Sequence, residues 1–167
     1  MKFPICQICM SNNMLCRTCQ EQIDTNHIME DEIYMYKYLD NFFNQFESTK
    51  EAEIKRAIIN ENILLIITTK EDVSKLIGRK GNIAKKLGQS LNKQIRIIPE
   101  YEEPKDFLRN VLFSVNNTQI NEVFTKEGKE YKIIIPKSQK RSMPFEIPTL
   151  AYLFRSYFDN NIEVEFE

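Results

Sequence analysis

Apolar positions along the chain change their period several times, and each change marks an element. Met35, Leu39, Phe42, Phe43 and Phe46 fall on one face at helical spacing, with Tyr34, Tyr36 and Tyr38 around its edge, and predict a helix over Asp31 to Ser48. Aromatic rings can stack bases, but at this spacing they are assigned to the core. The polar break Ser48-Thr49-Lys50-Glu51 follows. Ile54 to Ile59 and Ile63 to Thr68, separated by Asn60-Glu61-Asn62, then read as an antiparallel strand pair. Val73, Leu76 and Ile77 give a short helix, and Ile83, Leu87 and Leu91 at i, i+4, i+8 give a second. Gln94 to Ile98 alternates as a strand.

The same order returns in the second half. Glu100-Tyr101-Glu102-Glu103-Pro104 is a polar linker ending in proline, a domain boundary by composition. Asp106 to Phe113 reads as a helix, and Ile120 to Phe124 and Tyr131 to Ile135 flank Lys126-Glu127-Gly128-Lys129 as a hairpin with a glycine turn. Ile147, Leu150, Ala151, Phe154, Tyr157 and Phe158 keep helical spacing, and Ile162 to Phe166 closes as an alternating strand. The repeats differ where two elements of each half are joined. The first half carries Ile77-Gly78-Arg79-Lys80-Gly81-Asn82; the second carries Pro136-Lys137-Ser138-Gln139-Lys140-Arg141-Ser142-Met143-Pro144, with no Gly-x-x-Gly.

The first of these turns has a physical logic at each position. Thr69-Lys70-Glu71-Asp72 reads as a capping box, with Thr69 as N-cap and Asp72 at the third helical position. Gly78 stands where a helix ends in a left-handed residue, which costs glycine least. Gly81 leaves room for a sugar-phosphate to approach the backbone. The helix that starts near Asn82 directs free N–H groups and its positive dipole end at the turn, which suits a phosphate. Arg79 and Lys80 add full charges.

Charge follows the turn. The formal net charge of -1 hides an uneven distribution. Between Lys70 and Arg96 stand Lys70, Lys75, Arg79, Lys80, Lys85, Lys86, Lys93 and Arg96 against only Glu71 and Asp72, whereas Glu30 to Glu61 is acidic. A focused basic footprint on an acidic chain favours directed binding over general stickiness. Hydrophobic content of 42% and charged content of 28% over 167 residues describe a globular chain. The longest aliphatic run, Ile63 to Ile67, is far short of a membrane span, and Met1 to Cys6 has no apolar signal region. A cytoplasmic protein without membrane partners is expected.

All four cysteines lie in the first nineteen residues, as Cys6-Gln7-Ile8-Cys9 and Cys16-Arg17-Thr18-Cys19. Two Cys-x-x-Cys knuckles supply four thiolates for one tetrahedral site, with Zn2+ as the default occupant. A closed set of four is structural, and metal binding would supply most of this segment's folding energy. Two disulfides are the rival reading, disfavoured because nothing signals secretion; a mononuclear iron site uses the same ligands. Met10 and Gln20 stand where such knuckles often carry glycine. His27, the single histidine, reads as a surface linker residue.

The Gly-x-x-Gly turn, its flanking helices and its strands resemble a KH module, in which such a loop clamps about four nucleotides of a single strand. The order helix, strand, strand, helix, turn, helix, strand resembles the type II, prokaryotic arrangement. The tandem pair over about residues 30 to 167, with Ile77-Gly78-Arg79-Lys80-Gly81 and the helix Phe107-Leu108-Arg109-Asn110-Val111-Leu112, is similar to the KH pair of NusA. With a four-cysteine knuckle ahead of it, the chain resembles the small archaeal NusA-like proteins. The resemblance implies an α+β fold with a zinc knuckle or ribbon at 1–28, a KH domain at 29–100 and a degenerate one at 104–167. It implies single-stranded RNA binding in transcription elongation or termination, or in handling nascent RNA, with RNA polymerase as a partner. The resemblance is not expected to extend to the polymerase-binding and OB-fold domains that bacterial NusA carries before its KH pair. A ribosome-associated or ribosome-assembly RNA-binding factor is the alternative. The residues assigned to RNA are Lys75, Ile77, Gly78, Arg79, Lys80, Gly81, Asn82, Lys85, Lys86 and Arg96, with Val73, Leu76, Ile77, Ile83 and Ile95 to Ile98 as the groove for bases. Lys137, Lys140 and Arg141 of the second half read equally well as phosphate contacts or as a solvated loop. No histidine-centred acid–base pair, nucleophile elbow or phosphate-loop lysine motif stands in the sequence, and no enzymatic activity is expected.

Overall fold

The computed structural model describes residues 1–167 apart from Asn13, Asn26 and Glu127. The fold is α+β. It divides into two compact units, Met1–Glu100 and Tyr101–Glu167, each with one three-stranded sheet.

In the first unit two short helices, α1 (Gln7–Ser11) and α2 (Arg17–Asp24), carry the cysteines and precede α3 (Glu30–Phe43). Then come β1 (Ile54–Ile59), β2 (Ile63–Thr68), α4 (Val73–Ile77), α5 (Asn82–Leu91) and β3 (Gln94–Pro99). β2 is the central strand, antiparallel to β1 and parallel to β3. Every residue of β2 is buried. A run of five aliphatics is what a strand covered on both faces requires, each full burial contributing about 1.5–3 kcal/mol. The parallel pairing of β2 with β3 needs a crossover, and α4, the glycine turn and α5 are that crossover.

α3 is fastened to β1 by a polar contact that hydrophobic patterning did not reveal. Glu32 is 1% exposed; it accepts hydrogen bonds from the Tyr36 hydroxyl at 2.6 Å and from Arg56 Nε at 2.9 Å. Tyr36 therefore lies in the core rather than at the helix edge, and its phenol is pushed far up by burial and by the Glu32 charge. α3 also ends earlier than Ser48. The Thr49 hydroxyl donates to the carbonyls of Phe43 (2.6 Å) and Phe46 (2.8 Å), satisfying terminal carbonyls and turning the chain through a 3₁₀ turn, Glu47–Thr49.

The second unit contains α6 (Pro104–Val111), β4 (Gln119–Thr125), β5 (Gly128–Ile135), a 3₁₀ turn (Lys137–Ser142), α7 (Ile147–Phe158) and β6 (Asn161–Phe166). Its strand order and directions repeat those of the first: β5 is central, antiparallel to β4 and parallel to β6. Phe107, Phe154 and Phe158 form its aromatic core with Tyr131. α6 begins at Pro104, two residues before the predicted start, because proline suits a first helical turn whose N–H groups have no intrahelical partner. The predicted hairpin falls at Thr125 and Gly128, which pair across it; Glu127 lies outside the described residues. Among the described residues no helix is long and apolar enough to cross a membrane.

Candidate functional site

The two Cys-x-x-Cys segments adopt the same conformation. Cys6 and Cys16 each stand at the N-cap of a short helix with extended backbone (φ -70, ψ 157 and φ -72, ψ 163), and Cys9 and Cys19 follow three residues into α1 and α2. Each segment donates a backbone N–H to a sulfur of the other: Cys16 N–H to Cys9 Sγ at 3.1 Å, and Cys6 N–H to Cys19 Sγ at 3.4 Å. All four sulfurs lie within 4.8 Å of one another. A tetrahedral ion with metal–sulfur bonds near 2.3 Å requires sulfur–sulfur edges of about 3.8 Å, and Cys6 lies 3.4 Å from Cys9 and 4.0 Å from Cys16. The donor set fits a four-coordinate metal ion.

Hydrogen bonds from Cys9, its backbone first, bring the Cys6 thiol down to about 7, while burial pushes Cys19 up to about 12. The segment is not a free-standing appendage. Ile5, Cys9, Cys19 and Ile28 share a core with Tyr36, Leu39 and Leu64. The Lys2 backbone pairs in parallel beside β1, its N–H donating to Ala52 O at 3.0 Å and its carbonyl accepting from Ile54 N–H at 2.9 Å. His27 is exposed and lies 2.8 Å from the Thr25 hydroxyl.

The glycine turn joins α4 to α5. Gly78 has φ +76; a Cβ there would come within 2.3 Å of Asn82 Oδ1 and 2.6 Å of Ile83 Cγ1. Its ψ of 171 makes it extended in mirror image rather than left-handed helical, which restricts the position to glycine more strongly. Gly81 has φ +73, and a Cβ there would meet nothing within 4 Å. One glycine is thus demanded by packing, while the other leaves its backbone open to a ligand. Lys80 between them also holds positive φ (52), and the Gly81 N–H donates to Gly78 O at 3.0 Å. Gly81 is the N-cap of α5, whose first N–H groups face the turn.

Around this turn Arg79, Lys80, Asn82, Lys85 and Lys86 are exposed, with Ile77, Gly78 and Gly81 half-buried. Three other assignments change. Lys75 is exposed, but its ammonium lies 2.6 Å from Asp72 Oδ1, so its charge is already neutralised. Arg96 alternates with Ile95 and Ile97, which pack against the core shared with α5. Its side chain therefore projects from the opposite face of the sheet and does not join the turn. Leu76, Ile83 and Ile98 are core residues, 0%, 4% and 3% exposed, which leaves Val73 and Ile77 on α4 and Ile95 and Ile97 on β3 as the half-buried positions of the expected groove.

The capping box is also rearranged. α4 starts at Val73 with Asp72 as its N-cap residue. Burial raises the Asp72 carboxyl, but Lys75 and the Glu53 N–H, 3.0 Å from Oδ2, hold it below its ordinary value overall. Asp72 with Lys75 is an i, i+3 ion pair, a spacing visible in the sequence. Lys93, which enlarged the basic footprint, donates to the carbonyls of Asn60 (2.8 Å) and Glu61 (2.5 Å) and closes the β1–β2 turn.

In the second unit, the 3₁₀ turn Lys137–Ser142 occupies the place of the glycine turn. Lys137, Lys140 and Arg141 are exposed on it, with the Lys140 ammonium 5.2 Å from the centre of the Phe166 ring.

No family profile and no curated protein matches the sequence. Among solved structures, that of APE1850 is similar, with a TM-score of 0.62 and 18% identity over 84% of this chain and 100% of that one. At that identity the likeness establishes a shared fold and nothing more.

Proposed function

We propose that the chain is a single-stranded RNA-binding protein of the NusA-like type, built from two type II KH units behind a zinc-bearing knuckle. The single observation that carries this reading is the turn Gly78–Gly81. It combines an open backbone at Gly81, two exposed cations and the start of α5. Arg79, Lys80 and the N–H groups at Asn82 hold phosphates, and the half-buried Val73 and Ile77 meet the bases. The repeated sheet order, with a parallel second and third strand in each unit, supports the paired arrangement. In the second unit the turn without glycines takes no phosphate in the same manner.

Zn2+ is the proposed occupant of Cys6, Cys9, Cys16 and Cys19. Bound there, it acts as a closed structural centre that stabilises the first unit and performs no chemistry. The protein works by binding alone, on nascent transcripts in elongation or termination.

Ultraviolet crosslinking in cells, with Arg79→Asp/Lys80→Asp alongside the wild type, tests the assignment. Reads spread over nascent messages and lost in the variant are the expected result. Reads concentrated on ribosomal RNA would transfer the protein to the ribosome, and reads that persist in the variant would sink the clamp.

A further inference from the structure

The face of α5 that leads away from the glycine turn carries Asn82, Lys86 and Ser90 at i, i+4, i+8, with Lys85 and Gln89 beside them, all exposed. α5 has no acidic residue. This face does not end in solvent. The Lys86 ammonium lies 5.5 Å from the centre of the Phe46 ring, and the Ser90 hydroxyl is hydrogen-bonded to the Tyr38 hydroxyl. Phe46 is half-buried; it packs at 5.4 Å on Phe42, which in turn packs edge-on against the fully buried Phe43. A ring packed on Phe42 and the core beneath it, and faced by a long flexible cation, is a stacking platform with a movable cover. Among the described residues Lys86 has no carboxylate partner, and the nearby Glu47 is paired to Lys50 at 2.5 Å.

Resting on the RNA-binding reading above, we infer that the single strand held at Gly78–Gly81 continues along α5 and stacks a base on Phe46, with Lys86 moving from the ring to the adjoining phosphate. From Asn82 to Ser90 the helix rises about 12 Å, which takes about three further nucleotides at a stacked spacing of about 3.4 Å. Base–aromatic stacking tolerates any base, so this second contact extends the site without adding sequence preference. The aromatic cluster that patterning assigns wholly to the core thus divides: Phe43 supports, and Phe46 is offered to the ligand.

Fluorescence anisotropy of the full chain with two labelled, randomised RNA pools, a tetranucleotide and a decanucleotide, tests this. Phe46→Leu keeps an apolar side chain over the core but removes the ring. It should weaken the decanucleotide about tenfold and leave the tetranucleotide within about twofold, while Phe46→Trp retains decanucleotide affinity. Lys86→Gln should reduce the salt slope for the decanucleotide by about one. Wild-type decanucleotide affinity in Phe46→Leu overturns the inference while leaving the clamp intact. Equal weakening of both pools overturns it too, because the ring would then act only through the fold. If Arg79→Asp/Lys80→Asp binds both pools as the wild type does, the clamp reading fails and this inference falls with it.

Discussion

Two units of this protein share one arrangement of three strands and differ at the corresponding crossover. In the first, β2 leaves the sheet through α4, a turn with positive φ at Gly78, Lys80 and Gly81, and α5. In the second, β5 leaves through a 3₁₀ turn in which every residue carries a Cβ and Pro136 and Pro144 stand at the ends. The strand pairing is therefore indifferent to what fills the crossover. Glycine at 78 and 81 serves something that sheet formation does not need. Their anchoring differs as well: the first unit ties its leading helix to the sheet with a buried Glu32–Arg56 pair, whereas the second packs Phe107 against Phe154 and Phe158.

The largest expected effect separates the units by the metal. Thiol-rich sites of this size draw about 10 kcal/mol or more from the ion. Chelation, or Cys9→Ser with Cys19→Ser, should abolish amide protection in α1 and α2 and lower it through Met1–Glu100, with Tyr101–Glu167 keeping its own. Hydrogen exchange followed by mass spectrometry reads this directly, and equal loss in both units would refute the contrast. The pH dependence has a definite sign. Burial raises Cys19 to about 12, and Cys9 is raised as well, so both enter a neutral solution as thiols and must lose protons to bind. Metal affinity should rise with pH, with the Cys9 and Cys19 protons released on binding near neutrality, measurable by calorimetry in buffers of different ionisation enthalpy.

Next in size is the buried pair. Glu32→Gln leaves Arg56 charged in a site where its side chain is 11% exposed and should cost about 3–5 kcal/mol of stability. Chemical denaturation would show it as a lower midpoint with an unchanged slope. The glycines give the smallest stability effects and the sharpest test of division of labour. Gly78→Ala meets Asn82 and Ile83 and should cost about 2–4 kcal/mol; Gly81→Ala meets nothing and should cost about 1 kcal/mol, yet should weaken RNA binding more than its small cost suggests. Matching losses of stability and affinity at both positions would remove the distinction.

The sheets were legible because strand periodicity is local: Ile54–Ile59 and Ile63–Thr68 occupy the residues expected of them. The cysteine cluster was legible from spacing alone, since two Cys-x-x-Cys turns place four sulfurs together almost regardless of what surrounds them. What escaped depended on partners distant in sequence. Tyr36 looked like an edge residue until Glu32 and Arg56, 24 positions apart, supplied its polar environment. Arg96 counted toward the basic footprint until the sheet's alternation turned it to the other face. Lys93 was spent on two backbone carbonyls. Charge density along a chain reports how many cations there are; only the fold decides which of them remain available.

The most direct measurement is a titration of a labelled single-stranded RNA with wild type and Arg79→Asp/Lys80→Asp over a range of salt concentrations, with amide protection checked in both. The expected result is binding by the wild type with a steep salt dependence, lost in a variant that remains folded. Equal affinity and an equal salt slope in the two proteins would contradict a phosphate clamp at Gly78–Gly81.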